Sequence, residues 1–342
     1  MSKKIIYGIL ILFFAVASIA GYNFYQKIFS RNVIESGNLY IKSTDDFNDL
    51  TKKITPFIKD VGNFVWVANR KNFSEPKAGR YIIKDNMTNN ELVNMLRSGN
   101  QTAVNVSFNN QETIEKFAGR IAEQIEADSI TILQMFTDKE FLLANNLTKK
   151  SSLQICIPNS YQFYWNVSPK KFRDKLLTEY HRFWNSTRLE KAKKLNMSKS
   201  EVITLASIVQ KETAKKAERP IVAGLYLNRL KDGWPLQADP TIIYCIKEVK
   251  GQDYVVKRVL LVDLEINSPY NTYKYKGLPP SLISMPDIET IDAVLNADKH
   301  EYFYMCASID KIGYHEFAKS LSQHNRNAAK YQNWLNKNGI GR

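Results

Sequence analysis

The longest apolar run of the chain lies near its N-terminal end, where residues 5–26 carry no charge and follow Lys3 and Lys4. About 20 apolar residues are enough for a helix to cross the hydrocarbon core of a bilayer. The two lysines before the run favour a cytoplasmic N-terminus. We therefore predict a cytoplasmic start and a transmembrane anchor in residues 1–26. A signal peptide cleaved near residues 15–20 is the alternative, and in both cases the rest of the chain leaves the cytoplasm.

A short polar stretch, residues 27–37, is predicted to be a tether to a small module in residues 38–102. The apolar positions of this module indicate a strand, two helices and a strand. These elements are expected at 39–41, 44–58 (with Thr44 or Asp45 as its N-cap), 64–69 and 79–83. A capping box that joins Thr88 to Glu91 predicts one more helix, which ends at Gly99.

Residues 103–342 mix helical and strand periodicities, so we predict a larger mixed domain and an α+β fold class. Alternating apolar and polar residues predict a strand at 103–108, and a basic helix is expected at 170–194. A basic, β-branched stretch at 248–262 is interpreted as a hairpin. The remaining predictions are helices at 111–125, 128–137 and 139–145, a strand at 302–307 and a closing helix with His315, His324 and Asn325 near it.

One carboxylate stands in an unusual setting within this larger domain. Ser198 and Glu201 have the spacing of a capping box, and the apolar stripe that follows leads to Glu212. A carboxyl held against apolar side chains resists ionisation, as a general acid at neutral pH requires. The alternatives are a solvated boundary residue and a buried ion-pair partner. Glu218 is interpreted as structural, because it precedes Pro220 at a helix start.

Composition narrows the classes of partner. The net charge of +14 favours a polyanionic partner or surface. Export from the cytoplasm argues against nucleic acid and favours the cell wall and the membrane surface. The three cysteines lack CxxC spacing and the four histidines form no HExxH pair, so we expect no metal and no cofactor.

Several motifs in fixed order resemble the YceG-like (MltG) family of endolytic murein transglycosylases. They are LASIVQKET at 205–213, VAGLYLNRL at 222–230, LQADPTIIY at 236–244, SPYNTYKYKGLPP at 268–280 and HEFAKSLSQHN at 315–325. The resemblance covers residues 36 to 335 and places the family's catalytic glutamate, which lies in the KET motif, on Glu212. Many relatives carry a second Glu where this chain has Gln210. Asn159-Ser160 is another departure, since the family pattern there reads more like PDTY.

The resemblance also implies further site residues. Tyr226, Asn271 and Tyr273 are its candidates for contacts to substrate or for support of the catalytic group. Gln237 is expected to hydrogen-bond sugar, and Asp239 either caps the helix that Pro240 opens or contacts substrate. Four aromatic residues either line a saccharide groove or pack in a core; they are Tyr161, Phe163, Tyr164 and Trp165. The small module corresponds to a LysM-like glycan-binding region of the family, with a packing subdomain as the alternative.

The reaction that the resemblance implies needs only one carboxyl group. Glycoside hydrolysis generally uses two carboxylates, whereas in a lytic transglycosylase the 6-hydroxyl of MurNAc attacks its own anomeric carbon. Glu212 would serve first as general acid and then as general base. The alternatives are a muramidase with a second carboxylate such as Asp239, and a non-catalytic glycan-binding scaffold. The expected partners are peptidoglycan strands, the cytoplasmic (inner) membrane and, by resemblance, peptidoglycan synthases, with the catalytic domain outside the cytoplasm.

Overall fold

The computed structural model describes residues 3–338, which divide into two compact units. Unit 1 holds the residues up to Val106 together with segments 122–128 and 161–168. Unit 2 holds segments 107–121 and 129–160 and the chain from Pro169 onward. The mixture of helices and short strands is the expected α+β class.

Unit 1 begins with the apolar helix α1 (Lys3–Phe29), whose side chains are exposed over most of its length. It is long and apolar enough to cross a membrane, as predicted. The predicted order of strand, helix, helix and strand follows, and then the capped helix. These elements are β1 (Gly37–Ile41), α2 (Phe47–Ile54), a 3-10 turn (Thr55–Phe57), α3 (Val61–Arg70), β2 (Gly79–Ile83) and α4 (Asn89–Ser98).

The strands β1 and β2 pair antiparallel, with Leu39 opposite Tyr81, and their inward side chains join a core with the apolar faces of α2, α3 and α4. The capping box at Thr88 is formed, and Gly99 ends α4 in the left-handed conformation. The predicted cap of α2 is wrong by one or two residues. Asp46 caps this helix through the amide of Asp49, while Asp45 accepts a hydrogen bond from the Lys42 amide.

The predicted tether, residues 27–37, is not a free linker. Helix α1 extends through its first residues, and Asn32 and Val33 are buried. The Asn32 amide group donates to Asp60 O and Asn89 Oδ1 and accepts from the Asp60 amide. Because a polar side chain can be buried only when its hydrogen bonds are made, these bonds fix the segment to the module.

The chain then passes through β3 (Val104–Phe108) and β4 (Asn159–Phe163), which pair in a two-stranded sheet. A second pair, β5 (Tyr304–Ala307) and β6 (His315–Ala318), is antiparallel. The helices of this part of the chain are α5 (Ile114–Ala122), α6 (Ser129–Phe136), α7 (Lys139–Ala144), α8 (Pro169–Phe183), α9 (Ser186–Lys194), α10 (Lys199–Glu212), α11 (Arg219–Lys231), α12 (Asp239–Lys250), α13 (Ile288–Leu295) and α14 (Leu321–Lys337).

Two predictions fail in unit 2. The basic helix expected at 170–194 is two helices, because Trp184 is buried and Asn185 starts a new helix by capping it. The hairpin expected at 248–262 is absent from the described residues. Helix α12 continues to Lys250, and an irregular stretch with a 3-10 turn (Leu261–Glu265) follows.

Helix α10 is the centre of unit 2. Each residue from Val202 to Val209 is buried, and the helix packs against α11, α12 and α13. A helix that is buried on every side belongs in a core. In the structure, burial thus extends beyond the predicted apolar stripe to the whole circumference of α10 in this segment.

Candidate active site

Glu212 is the last residue of α10, where the central helix reaches the surface of unit 2. Its side chain is half-buried, and Thr213 turns the chain into an extended conformation directly after it. Lys211 is exposed and pairs with Glu112 at 3.2 Å, so it does not neutralise Glu212. The carboxyl group therefore lies at the edge of an apolar core, with one side open to solvent.

The hydroxyl of Tyr226 on α11 donates a hydrogen bond to Glu212 Oε2 at 3.0 Å. Tyr226 is fully buried, and burial raises the pKa of its hydroxyl well above the ordinary value. Among residues 3–338, the Tyr226 hydroxyl is the one hydrogen-bond partner of the Glu212 side chain. The other carboxyl oxygen, Oε1, can therefore carry a proton.

Burial raises the pKa of Glu212 above its ordinary value, and this is the largest influence on the group. The hydrogen bond from Tyr226 and the nearby His315 and Arg229 oppose the rise, while the negative charge of Asp239 adds to it. A raised pKa favours a protonated carboxyl near neutral pH, which is the state of a general acid.

Arg229 was not singled out from the sequence. It lies on α11 and is buried, and its Nε donates to Phe303 O at 2.8 Å while its Nη1 donates to Leu236 O. Because these partners are uncharged carbonyl groups, its positive charge remains uncompensated and acts on Glu212 and Tyr226. Burial lowers the pKa of Arg229. The available signal was its place within the VAGLYLNRL motif.

Asp239 and Tyr273 form a second pair beside Glu212. Tyr273 Oη donates to Asp239 Oδ1 at 2.6 Å, and both groups interact electrostatically with Glu212. The capping interpretation of Asp239 is wrong, because the N-cap of α12 is Ala238 and Asp239 is the first helical residue. Its carboxylate is exposed and free to meet a ligand.

Asn271 lies in the same loop as Tyr273 and bonds to its backbone amide. It is fully buried; its Nδ2 donates to Leu264 O and Ile266 O, and its Oδ1 accepts from the amides of Tyr273 and Lys274. An Asn side chain has two donors and two acceptor sites, so all are used. These bonds favour the supporting role predicted for Asn271, in the loop that carries Tyr273, and its contact with substrate stays a prediction.

Gln237 precedes Asp239 in a strained backbone conformation. Its φ of 50° lies in the left-handed region, which costs energy for a residue other than glycine. Its backbone amide donates to Thr272 O at 3.0 Å, which ties this turn to the loop of Tyr273, and its side chain is exposed. Such strain persists where the surrounding structure imposes it, often at ligand sites.

Glu218 has the structural role that the sequence indicated. It is buried; it accepts from Thr213 Oγ1 at 2.9 Å and from the His315 amide at 2.6 Å, and the ring Nδ1 of His315 lies 3.0 Å from it. This network joins the end of α10 to β6. Gln210 is also structural, since its Oε1 accepts from the Asp287 amide and from Thr290 Oγ1.

The four aromatic residues divide between core and surface. Tyr161 and Phe163 are buried, Tyr164 is exposed, and Trp165 packs edge-on against Tyr40 in unit 1. Trp165 and Tyr40 line a groove of about 790 Å³ in unit 1. In residues 3–338 no group of three or more His, Cys, Asp or Glu side chains is placed to hold a metal ion.

The comparison with known proteins agrees with the order of these motifs. The profile of the YceG-like family matches residues 39–330. This chain belongs to the YceG-like family. The family match thus includes both members of each pair in the site, Glu212 with Tyr226 and Asp239 with Tyr273.

Relatives in the family carry a functional name. A Bacillus subtilis protein named endolytic murein transglycosylase is 28% identical over 291 residues, which cover 80% of this chain and 78% of that protein. A Streptococcus pneumoniae protein of the same name is 26% identical, and the match covers 79% of this chain but 53% of that protein. This chain therefore spans about half the length of the pneumococcal relative.

A crystal structure of a yceG-like protein from Listeria monocytogenes has the same fold. The TM-score is 0.55 at 26% sequence identity, and the match covers 85% of this chain and 99% of that one. The YceG-like fold thus extends beyond the motifs to most of both chains.

Proposed function

We propose that this chain is a membrane-anchored lytic transglycosylase of peptidoglycan. It cleaves the β-1,4 bond between MurNAc and GlcNAc inside nascent strands, leaves 1,6-anhydro-MurNAc ends and so limits strand length. The observation that carries the proposal is the carboxyl of Glu212, which ends a buried helix and accepts a hydrogen bond from a buried tyrosine. The names of the family relatives support the same activity.

In the first step the protonated carboxyl of Glu212 donates its proton to the glycosidic oxygen. The bond from the MurNAc anomeric carbon to that oxygen breaks, and its electron pair leaves with the GlcNAc hydroxyl. Burial keeps the carboxyl protonated beforehand. The hydroxyl of Tyr226 and the charge of Arg229 then stabilise the carboxylate that forms, because both favour its ionised state.

In the second step the carboxylate of Glu212 takes the proton of the MurNAc 6-hydroxyl. The oxygen attacks the anomeric carbon and closes the 1,6-anhydro ring, so the carboxyl regains its proton and no water is consumed. The attack is intramolecular, which gives it a large advantage in effective concentration over water. One carboxyl group thus performs both proton transfers. In this proposal the exposed carboxylate of Asp239, which accepts a hydrogen bond from Tyr273, stabilises the positive charge that develops at the anomeric carbon.

The position of Asp239 also supports a second candidate, a muramidase. Retaining and inverting glycosidases use two carboxyl groups that flank the bond. Asp239 interacts electrostatically with Glu212 and is exposed, so it could serve as nucleophile or base for water. The products distinguish the two reactions, since hydrolysis leaves reducing ends and transglycosylation leaves anhydro ends.

The proposal is tested with the full chain in detergent micelles and purified peptidoglycan, with the product ends identified by mass spectrometry. We expect anhydro-MurNAc ends inside long strands, and a loss of at least about 100-fold in rate for Glu212→Gln, the range for removal of a general acid. Glu201→Gln is the matched control, because it makes the same change at the other end of α10 and a Gln can still close the capping box.

Each outcome has a separate meaning. Reducing ends that disappear in both Glu212→Gln and Asp239→Asn would establish the muramidase. No new ends from any form, with glycan still bound, would leave a binding scaffold.

The setting of the reaction is part of the proposal. A single anchor with a cytoplasmic N-terminus would hold the catalytic residues outside the cytoplasmic membrane, where new glycan strands emerge. The expected partners there are the strands themselves and peptidoglycan synthases. Co-purification of the full chain with synthases from solubilised membranes, lost when residues 1–26 are exchanged for a different apolar helix, would show that the anchor contributes to this association.

A further inference from the structure

The C-terminal end of α1 packs against the small module that follows it in unit 1. The ring of Phe24 packs edge-on against Trp66 of α3, with 5.2 Å between ring centroids. Ile28 packs against the core of unit 1, and Asn89 Nδ2 donates to Lys27 O at 2.9 Å. The end of α1 is therefore packed against the module, and the position of α1 in a membrane determines the depth of α3.

The length of α1 places Trp66 at the membrane surface. The uncharged part of the helix from Ile5 to Phe24 comprises about 20 residues, which at 1.5 Å per residue span about 30 Å. This is about the thickness of the hydrocarbon core. Phe24 thus lies at the far edge of the core, and Trp66, in contact with it, lies in the interfacial layer, where tryptophan is enriched.

Two cations flank this tryptophan. Lys27 Nζ lies 5.3 Å and Arg70 Cζ 5.2 Å from the centre of the Trp66 ring. Within the described part of the chain, neither has a carboxylate within ion-pair distance, unlike the lysines of α2, which pair with Asp45 and Asp49. Unpaired cations at the depth of lipid phosphates attract anionic headgroups.

We propose that Lys27, Trp66 and Arg70 form a collar that binds the headgroups of anionic phospholipids where α1 leaves the membrane. The indole lies at the boundary of the acyl chains, and the two cations reach the phosphates. The collar holds the face of α3 against the bilayer. This inference rests on α1 as a membrane span and is independent of the catalytic proposal.

The test uses the full chain in two kinds of phosphatidylcholine vesicle. One contains a minor fraction of brominated phosphatidylglycerol, and the other contains the same fraction of brominated phosphatidylcholine. Bromine quenches nearby indoles, and the emission of Trp66 is the difference between the wild type and Trp66→Phe. We expect brominated phosphatidylglycerol to quench Trp66 several-fold more strongly than brominated phosphatidylcholine. The variant with Lys27→Gln and Arg70→Gln should lose this preference, so that the two brominated lipids quench equally.

Lys52→Gln is the matched control, since it removes an exposed cation of unit 1 on α2 that is already paired with Asp49. It should keep the preference. The double Gln variant retains Trp66, so its total emission can be compared with that of the wild type even where Trp66→Phe fails to fold. Equal quenching by the two lipids in the wild type overturns the headgroup site. Absence of quenching by both, with α1 resistant to alkaline extraction, overturns the placement of Trp66.

Discussion

The carboxyl of Glu212 is subject to two opposing influences of its surroundings. Burial at the end of α10 disfavours the charged form, while the hydroxyl of Tyr226 and the charge of Arg229 favour it. A group that must donate a proton and then take one back benefits from both influences, because burial favours the protonated acid and the two neighbours favour the carboxylate that forms when the proton leaves. Tyr226 and Arg229 of α11 thus limit the rise in the pKa of Glu212 that burial at the end of α10 causes.

Replacement of Tyr226 by Phe should move the pH profile of the reaction. The variant removes a hydrogen bond that stabilises the carboxylate, so the pKa of Glu212 rises further. Because the reaction starts from the protonated form, the rate falls as the pH rises through this pKa, and the falling limb moves to higher pH. Hydrogen bonds to charged groups contribute about 1.5–3 kcal/mol, which corresponds to about one to two pH units.

The measurement is the rate of formation of anhydro ends between about pH 4 and 9. This range spans the ordinary pKa values of carboxyl and imidazole groups. Tyr254→Phe is the control, because it deletes the hydroxyl of an exposed tyrosine whose contact is with Lys250. An unchanged falling limb in Tyr226→Phe would show that its hydrogen bond does not govern the acidity of Glu212.

Residues of the site were predictable from the sequence where a motif carried them. Glu212 lies on α10 and Tyr226 on α11, and both belong to motifs of the family. In the structure a hydrogen bond joins them. Arg229 was missed because its partners are backbone carbonyls of Leu236 and Phe303, which no pattern of side chains reveals. The role of Asn271 needed the structure, since only the fold shows that its amide is fully used within the loop.

Single elements were predictable where their signals are local. The capping boxes at Thr88 and Ser198 and the stop at Gly99 depend on residues within four positions, and each forms as expected. The interruption of the basic helix at Trp184 depends on burial of that ring, which is a tertiary effect. The stretch at 248–262 has strand-forming residues but finds no partner strand, so its β propensity is not realised.

Loss of the cap at Ser198 should destabilise unit 2 without slowing catalysis. Its side chain accepts from the Glu201 amide at 3.2 Å, and replacement of such a cap by Ala costs about 1 kcal/mol. The cap lies at the opposite end of α10 from Glu212, so the catalytic end keeps its packing. We expect Ser198→Ala to unfold at lower urea concentration while its rate at low temperature stays within about twofold of the wild type.

Ser186→Ala is the control, since Ser186 is an exposed first residue of α9 whose cap is Asn185. It should change the stability by less than about 0.5 kcal/mol. Equal midpoints for Ser198→Ala and the wild type would mean that the cap adds nothing to the stability of α10.

The link between the anchor and the module is the feature of the whole molecule that the sequence did not reveal. Its polar composition predicted a short tether. The structure buries Asn32 and pairs the segment by single bridges, Arg31 with Thr88 and Val33 with Ile58. A buried Asn with distant partners has no local signature, so only the folded chain shows that this segment belongs to unit 1.

This arrangement predicts that the segment resists proteolysis in the folded protein. A free tether would be cut by trypsin after Arg31, whereas a segment held by Asn32 and its partners is not available to the protease. Asn89→Ala removes the bonds to the Asn32 amide group and to Lys27 O and leaves buried groups unpaired, which costs about 1–3 kcal/mol. We expect cleavage after Arg31, measured by mass spectrometry of the full chain in micelles, to rise at least about fivefold in this variant, because about 1 kcal/mol corresponds to that factor.

Asn48→Ala is the control, because Asn48 is an exposed position on α2, and it should leave the rate of cleavage unchanged. Rapid cleavage after Arg31 in the wild type would show that the segment is a free tether, and that the module is not held against the anchor helix.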